Sequence, residues 1–266
     1  MQALAGYEIL RQLGPANYGS LYLARPPDRV PVEADEIVLK VLDTSTDPAI
    51  FRRVSRELRA FAATQSPLLL TLYEAGQEGD LLYYSMEHLG RGTLEVPTEE
   101  LSRDDKVRAV ADAARAAHAL HESGVAHRDI RPGNIWLRAE GAKLGELGLA
   151  QSMAPGQTVT GVALPVSLEY LDPGIIMGDA PSRATDIWAL GLTLHQAISG
   201  AGVYGDLSLR DPVVAFRKVL NTTPMLSEAL DAAEREVVAG CLAPRAERYP
   251  TAAVLAEDLD RLVSAT

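Results

Sequence analysis

The sequence predicts an α+β chain of two unequal lobes, a small β-rich N-terminal lobe with one helix and a larger, mainly helical C-terminal lobe. Three observations carry this. The first ~90 residues hold short β-type apolar runs, and helical periodicity dominates the rest. With 47% hydrophobic and 23% charged residues, 266 positions suffice for one sizeable core or two small ones. The division places the N-lobe at about 1–87, the join at about 87–92 and the C-lobe at about 93–266.

Strands are expected at 7–13, 20–24, 37–42, 68–74 and 81–87, each bounded by Gly, Pro or charged turns. One helix interrupts them at 48–64. Phe51, Val54, Leu58 and Phe61 recur there at helical spacing and face a core, and Glu57 shares their face. A carboxylate on an apolar stripe is costly unless a cation meets it. In the second lobe a long helix is expected over 103–123, with short strands at 135–137 and 142–144 and an irregular stretch to about 181. Residues 186–199 are apolar on nearly every face, as in a buried helix, and 212–221, 227–241 and 251–263 are amphipathic helices around it.

Composition excludes several classes. A formal charge of −11 disfavours nucleic acid as a partner. No apolar run approaches the ~20 residues of a membrane span, so no membrane insertion is expected. The N-terminus lacks a basic region followed by an apolar one, and a cytoplasmic location is expected. Cys241, the only cysteine, excludes an internal disulfide and reads as a small buried apolar residue. His88, His118, His121 and His195 read as hinge or helix-surface residues without metal-ligand spacing.

Chemistry concentrates in a few strings. Gly14 and Gly19 flank a turn between two strands, where backbone amides can approach phosphates. Lys40 is one of only four lysines and closes an apolar strand run, and it supplies the charge that Glu57 needs. The string His127-Arg128-Asp129-Ile130-Arg131-Pro132-Gly133-Asn134 follows the long helix. It resembles the catalytic loop of protein kinases, His-Arg-Asp-Leu-Lys-Pro-x-Asn, at six of seven specified positions with Ile allowed for Leu.

The whole of about 7–263 then resembles a eukaryotic-type Ser/Thr protein kinase domain of the bacterial Hanks type. By that resemblance Gly14 and Gly19 form the glycine-rich loop, Lys40 binds phosphate, Glu57 pairs with Lys40, and the stretch from Met86 through Glu87 to Leu89 is gatekeeper and hinge. Asp129 accepts the substrate hydroxyl proton with Arg131 beside it, and Asn134 and Glu146 take the metal positions. Asp186, Trp188 and Gly191 resemble the family's Asp-x-Trp-x-x-Gly helix, and Arg248 its late arginine.

Four departures bear on catalysis. Glu146 stands where the family has its metal-binding Asp, adding a methylene to a ligand of demanding geometry. Arg131 replaces a Lys, a planar fork in place of a compact ammonium. Ala16 replaces a loop glycine, and Gly174 replaces the Glu that pairs with the position of Arg248, leaving Asp172 as first candidate partner and Glu247 as second. Residues 92–97 leave little room for the helix that the family carries after its hinge.

The resemblance with these departures implies a pseudokinase, with weak or absent phosphotransfer, that binds ATP weakly and acts through a protein partner. Glu146 weighs against an ordinary Mg²⁺ or Mn²⁺ site. The alternative is an active, atypical Ser/Thr kinase with a protein substrate, since Lys40, Glu57, Asp129 and Asn134 are retained. A small-molecule phosphotransferase on a related fold is a third reading, which the match ending at Pro173 and the Asp186 helix disfavour. A homodimer is compatible with all of these.

Overall fold

The computed structural model describes residues 2–16, 19–42, 48–146, 168–205, 207 and 211–264. They divide into two compact units, residues 2–63 with 70–89, and residues 64–69 with 90–146 and 168–264.

The first unit is a six-stranded antiparallel sheet in the order β1-β2-β3-β4-β6-β5, with one helix. Its elements are β1 (Ala3–Leu4), β2 (Tyr7–Ala16), β3 (Gly19–Arg25), β4 (Ile37–Leu42), α1 (Pro48–Ala63), β5 (Leu72–Glu78) and β6 (Leu81–Glu87). Strand β4, Ile-Val-Leu-Lys-Val-Leu, is buried on both faces, which explains why it is apolar at every position but Lys40 in place of alternation. On α1 the expected stripe is present, with Val54, Leu58 and Phe61 buried. Strand β5 starts four residues later than the apolar run that suggested it. Leu68 and Leu69 serve the other unit, where Leu69 bridges Leu144 and the Leu144 N–H donates to Leu68 O at 2.8 Å.

The sheet curls until its edges meet. The Ala5 N–H beside β1 donates to Glu78 Oε2 of β5 at 2.6 Å. Arg29, in the β3–β4 connection, forks onto Glu74 of β5, Nε to Oε1 at 3.0 Å and Nη2 to Oε2 at 2.9 Å. The fully buried Tyr7 closes the network, its hydroxyl donating to Glu74 at 2.7 Å and lying 2.9 Å from Ser85 Oγ. The sequence reading omitted β1, whose turn runs through Ala5 at φ 48° and Gly6 at φ 80°.

The second unit holds α2 (Arg103–Glu122), the hairpin β7 (Ile135–Leu137) and β8 (Ala142–Leu144), the short α3 (Pro173–Ile176), then α4 (Arg183–Ser199), α5 (Pro212–Asn221), α6 (Ala232–Cys241) and α7 (Ala252–Ser264). Ser102 and Asp105 form a capping box that starts α2. Buried Ala109, Ala113, Ala116 and Ala117 on α2 let α4 and α7 approach closely. Residues 185–195 of α4 are all buried, as the all-round apolar pattern requires. Helix α6 begins at Ala232, later than the expected 227, because Asp231 caps it in a box with Glu234. Cys241 is buried against α4, and burial pushes its thiol pKa up. Two histidines correct the sequence reading: His121 and His195 are buried within the unit, not on helix surfaces.

Tyr7→Phe removes the hydroxyl that joins β2 to Glu74 and Ser85, and is expected to cost about 1–2 kcal/mol in urea unfolding. The Arg29 guanidinium holds the Glu74 carboxyl below the usual carboxylate range. Its contribution is therefore complete above the unfolded pKa of about 4.3 and is lost as pH falls through the lowered folded value. Glu74→Gln is expected to flatten the acid limb of the stability profile. An unchanged acid limb contradicts the assignment.

Candidate active site

The candidate residues fall into two groups, one in each unit. In the first unit the register aligns Gly14 with Leu21, Leu21 with Lys40 and Lys40 with Tyr84, one row across four strands. Cross-strand partners point to one face, so the Lys40 side chain shares a face with Leu21, two strands or about 10 Å from Gly14. Lys40 is only 3% exposed, and its Nζ lies 5.8 Å from the Tyr84 ring centroid. The β2–β3 hairpin stays paired as far as Ala16 and Gly19. Gly19 is obligatory, since an added Cβ would stand 1.9 Å from Val41 O. Glu57 lies half-buried on the α1 face that carries Val54, Leu58 and Phe61. Glu87 ends β6, where Thr71 N–H donates to its Oε1 at 2.6 Å, and Leu89 ends the unit.

In the second unit Asp129, Arg131, Asn134 and Glu146 are brought together, and a buried scaffold explains how. Asp186 sits in the first turn of α4, where the helix dipole favours an anion. Its Oδ2 accepts from His121 Nε2 and from the His127 backbone N–H, both at 2.7 Å, and its Oδ1 accepts from the Arg128 N–H at 2.9 Å. These bonds hold Arg128 at φ 69°, a conformation that otherwise costs about 1–2 kcal/mol. The His127 ring continues the chain: Nδ1 accepts the Asp129 N–H at 3.3 Å, so Nε2–H donates to Gly145 O at 2.9 Å. Burial holds the His127 pKa below its ordinary value against the opposing pull of Asp186 and Asp129, so the ring is neutral near pH 7. His127 is thus structural, as expected.

Asn134 Nδ2 donates to the Asp129 carbonyl at 2.7 Å and to Asp129 Oδ2 at 2.9 Å. Arg131 Nε lies 3.8 Å from the same Oδ2, so a guanidinium and an amide orient one carboxylate. Asn134 Oδ1 is buried and accepts no hydrogen bond among the described residues. An orphaned amide oxygen next to a buried carboxylate is a donor set that suits a hard divalent cation. Glu146 follows Gly145, whose N–H donates to Asn134 O at 2.9 Å. Glu146 is 4% exposed on a backbone at φ 59°, the left-handed region that Asp and Asn tolerate better than Glu. From Leu147 onward the 143–150 motif lies outside the described residues, as do Ser167 and the tip of the glycine loop.

Past residues 147–167, Arg248 has found the carboxylate expected of it. Asp172 Oδ2 pairs with Arg248 Nη1, both side chains 6% exposed, while Asp172 Oδ1 caps the Gly174 N–H at 2.9 Å. Arg248 also donates to Ala184 O and Ala243 O, each at 2.9 Å, and stacks 4.8 Å from the Trp188 ring centroid. The carboxylate missing at Gly174 is supplied from the other side of Pro173.

Sequence reading missed His121 and Glu95. Val107, Val110, Ala114, Ala117 and His121 recur three and four apart, a helical spacing that marks His121 as inward-facing. Nothing local distinguishes Glu95, which lies 3.3 Å from Arg131 Nη1.

Asp186→Asn keeps the shape but turns an NH₂ toward backbone donors, leaving at least one buried N–H unsatisfied. A loss of about 3 kcal/mol is expected in chemical unfolding. Asp172→Ala strands a buried guanidinium and is expected to cost about 3 kcal/mol as well. A loss under about 1 kcal/mol for either variant contradicts the assigned role.

Comparison with known proteins agrees with this geometry. A family model described as the protein kinase domain matches residues 7–258. Serine/threonine-protein kinase PknB of Mycobacterium leprae is 31% identical over 97% of this chain and 43% of its own length. PknB of Mycobacterium tuberculosis is 32% identical over 96% of this chain and 42% of its own. The chain therefore spans less than half the length of these relatives. The crystal structure of the Mycobacterium tuberculosis PknI kinase domain superimposes with a TM-score of 0.70 at 25% identity, covering 97% of this chain and 96% of that one. A curled sheet with one helix, a helical unit with the His-Arg-Asp loop held by its central helix, and these matches together establish that the chain belongs to the protein kinase domain family, as a bacterial Hanks-type Ser/Thr kinase domain.

Proposed function

We propose that this domain is a pseudokinase that binds ATP weakly, transfers phosphate slowly or not at all, and acts through a protein partner. Protein kinase domains use ATP with Mg²⁺ or Mn²⁺ on protein substrates, so the question for this chain is which parts of that machinery are retained. In the proposal the Gly14–Gly19 turn and Lys40 hold the phosphates, while Glu87 and Leu89 meet the base. Backbone amides and one ammonium can hold phosphate without help from Glu146.

The observation that carries the reading is Glu146, a buried carboxylate on a left-handed backbone, one methylene longer than the metal-binding Asp it replaces by the sequence resemblance. The cation, when bound, neutralises charge on the transferring phosphoryl group. Holding it requires oxygen ligands placed to within a fraction of an ångström, and an extra methylene moves a carboxylate by about one C–C bond, or 1.5 Å. Misplacement by ~1 Å can cost on the order of 10²-fold in rate. The second reading, an active but atypical Ser/Thr kinase, is favoured by the Asn134–Asp129 bond and the open Asn134 Oδ1.

Lys40→Ala is expected to abolish the thermal shift given by ATP, and a shift unchanged in the variant contradicts the proposed phosphate site. Glu146→Asp is expected to raise Mg²⁺-dependent autophosphorylation at least about tenfold, ~1.4 kcal/mol in barrier, from a wild type with little or none. Because Asp accepts the left-handed backbone better, the same variant is expected to unfold no more readily than wild type. A wild type turning over at roughly 1–100 s⁻¹, an ordinary kinase rate, overturns the pseudokinase reading.

A further inference from the structure

Arg131 stands between two carboxylates. Its buried Nε lies 3.8 Å from Asp129 Oδ2 and donates no hydrogen bond among the described residues, while its Nη1 lies 3.3 Å from Glu95 Oε2. Glu95 belongs to the 92–97 segment, which in sequence leaves little room for the helix that the family carries after its hinge. Backbone bonds fix that segment to the catalytic-loop strand: Leu94 N–H donates to Ile135 O at 2.9 Å, and Thr93 bridges Trp136 of β7. Gly133 leaves the necessary room. A Cβ there would fall 2.4 Å from both Arg131 Nη1 and Glu95 Oε2. Glu95, remote in sequence, therefore joins Arg131 and Gly133 of the octapeptide in one constellation, an arginine fork, an acid to engage its outer end and a bare residue beneath them.

We propose that Glu95 is a positioning residue that keeps Arg131 turned toward Asp129 and withholds its charge from an incoming phosphoryl group. The inference rests on the ATP-binding reading above and deepens it. Arg131 is compensated on both sides, so an anionic phosphate gains its full attraction only after displacing Glu95. That displacement is mild, because the Glu95 side chain is 51% exposed and ion pairs at such sites are weak and screened by salt. Glu95 is thus a built-in competitor that lowers affinity for the nucleotide without closing the site.

The test is an ATP titration followed by thermal shift at low salt, on wild type, Glu95→Gln, Arg131→Met and the double variant. Glu95→Gln is expected to tighten apparent ATP affinity about three- to fivefold, with the gain shrinking at high salt and vanishing in the Arg131→Met background. Gly133→Ala is expected to act in the same direction, since its methyl meets only the ends of two flexible side chains. Unchanged or weaker binding in Glu95→Gln, or an equal gain without Arg131, overturns the proposal. If no variant binds ATP, the nucleotide reading fails, and the pairing is judged on the melting temperatures of the same four proteins without ligand. Non-additive shifts sustain a Glu95–Arg131 coupling, and additive ones overturn it.

Discussion

Two oxygens of one buried carboxylate, Asp186, accept from the His121 ring and from two successive backbone amides, His127 and Arg128. Each of these donors is otherwise stranded: the amides sit where the chain enters the left-handed conformation at Arg128, and His121 is buried on α2. The carboxylate can afford burial because it lies in the first turn of α4 and its charge is spread over three charge-assisted bonds. From it the order propagates through covalent neighbours and hydrogen bonds alone. His127 receives the Asp129 amide and holds Gly145, Gly145 reaches back to Asn134, and Asn134 orients Asp129. The catalytic loop is a closed circuit anchored at one point on the most buried helix of its unit.

That circuit is complete although the residues hung on it have changed. Arg131 still brings a cation to Asp129, yet its fork also engages Glu95. Asp172 replaces the carboxylate absent from Gly174 and caps α3 with its other oxygen, so the anchor for Arg248 survives a two-residue shift. The scaffold rests on Asp186, His127 and the Asp172–Arg248 pair, all buried and satisfied. In the proposed reading phosphotransfer would rest on other atoms, the terminal oxygens at 129, 134 and 146.

Much of this was legible in the sequence because it depends on local patterns. The catalytic-loop octapeptide, the all-apolar helix around Trp188 and the buried lysine of β4 announce themselves by residue type and spacing. The partner of Arg248 was legible as one of two candidates, Asp172 before Glu247, since a buried guanidinium requires an anion, and the structure pairs it with Asp172. What was not legible depends on contacts between distant segments. The start of β5 was displaced because Leu68 and Leu69 belong to the other unit. The depth of His195 follows from α4 being buried all round, since residues 185–195 leave no surface face for it. Glu95 gave no signal, because its role depends on the absence of a side chain at Gly133, nearly forty residues along the chain.

The loop scaffold is retained, and in the proposed reading the metal-binding function at position 146 is not. The direct measurement is the apparent affinity for ATP, followed by thermal shift, with excess Mg²⁺ and with a chelator in its place. If Glu146 does not complete a working cation site, the two affinities agree to within about twofold, because Lys40 and backbone amides carry the binding. Binding that appears only with Mg²⁺, or tightens tenfold or more when it is added, contradicts the account and makes Asn134 and Glu146 a functional metal pair.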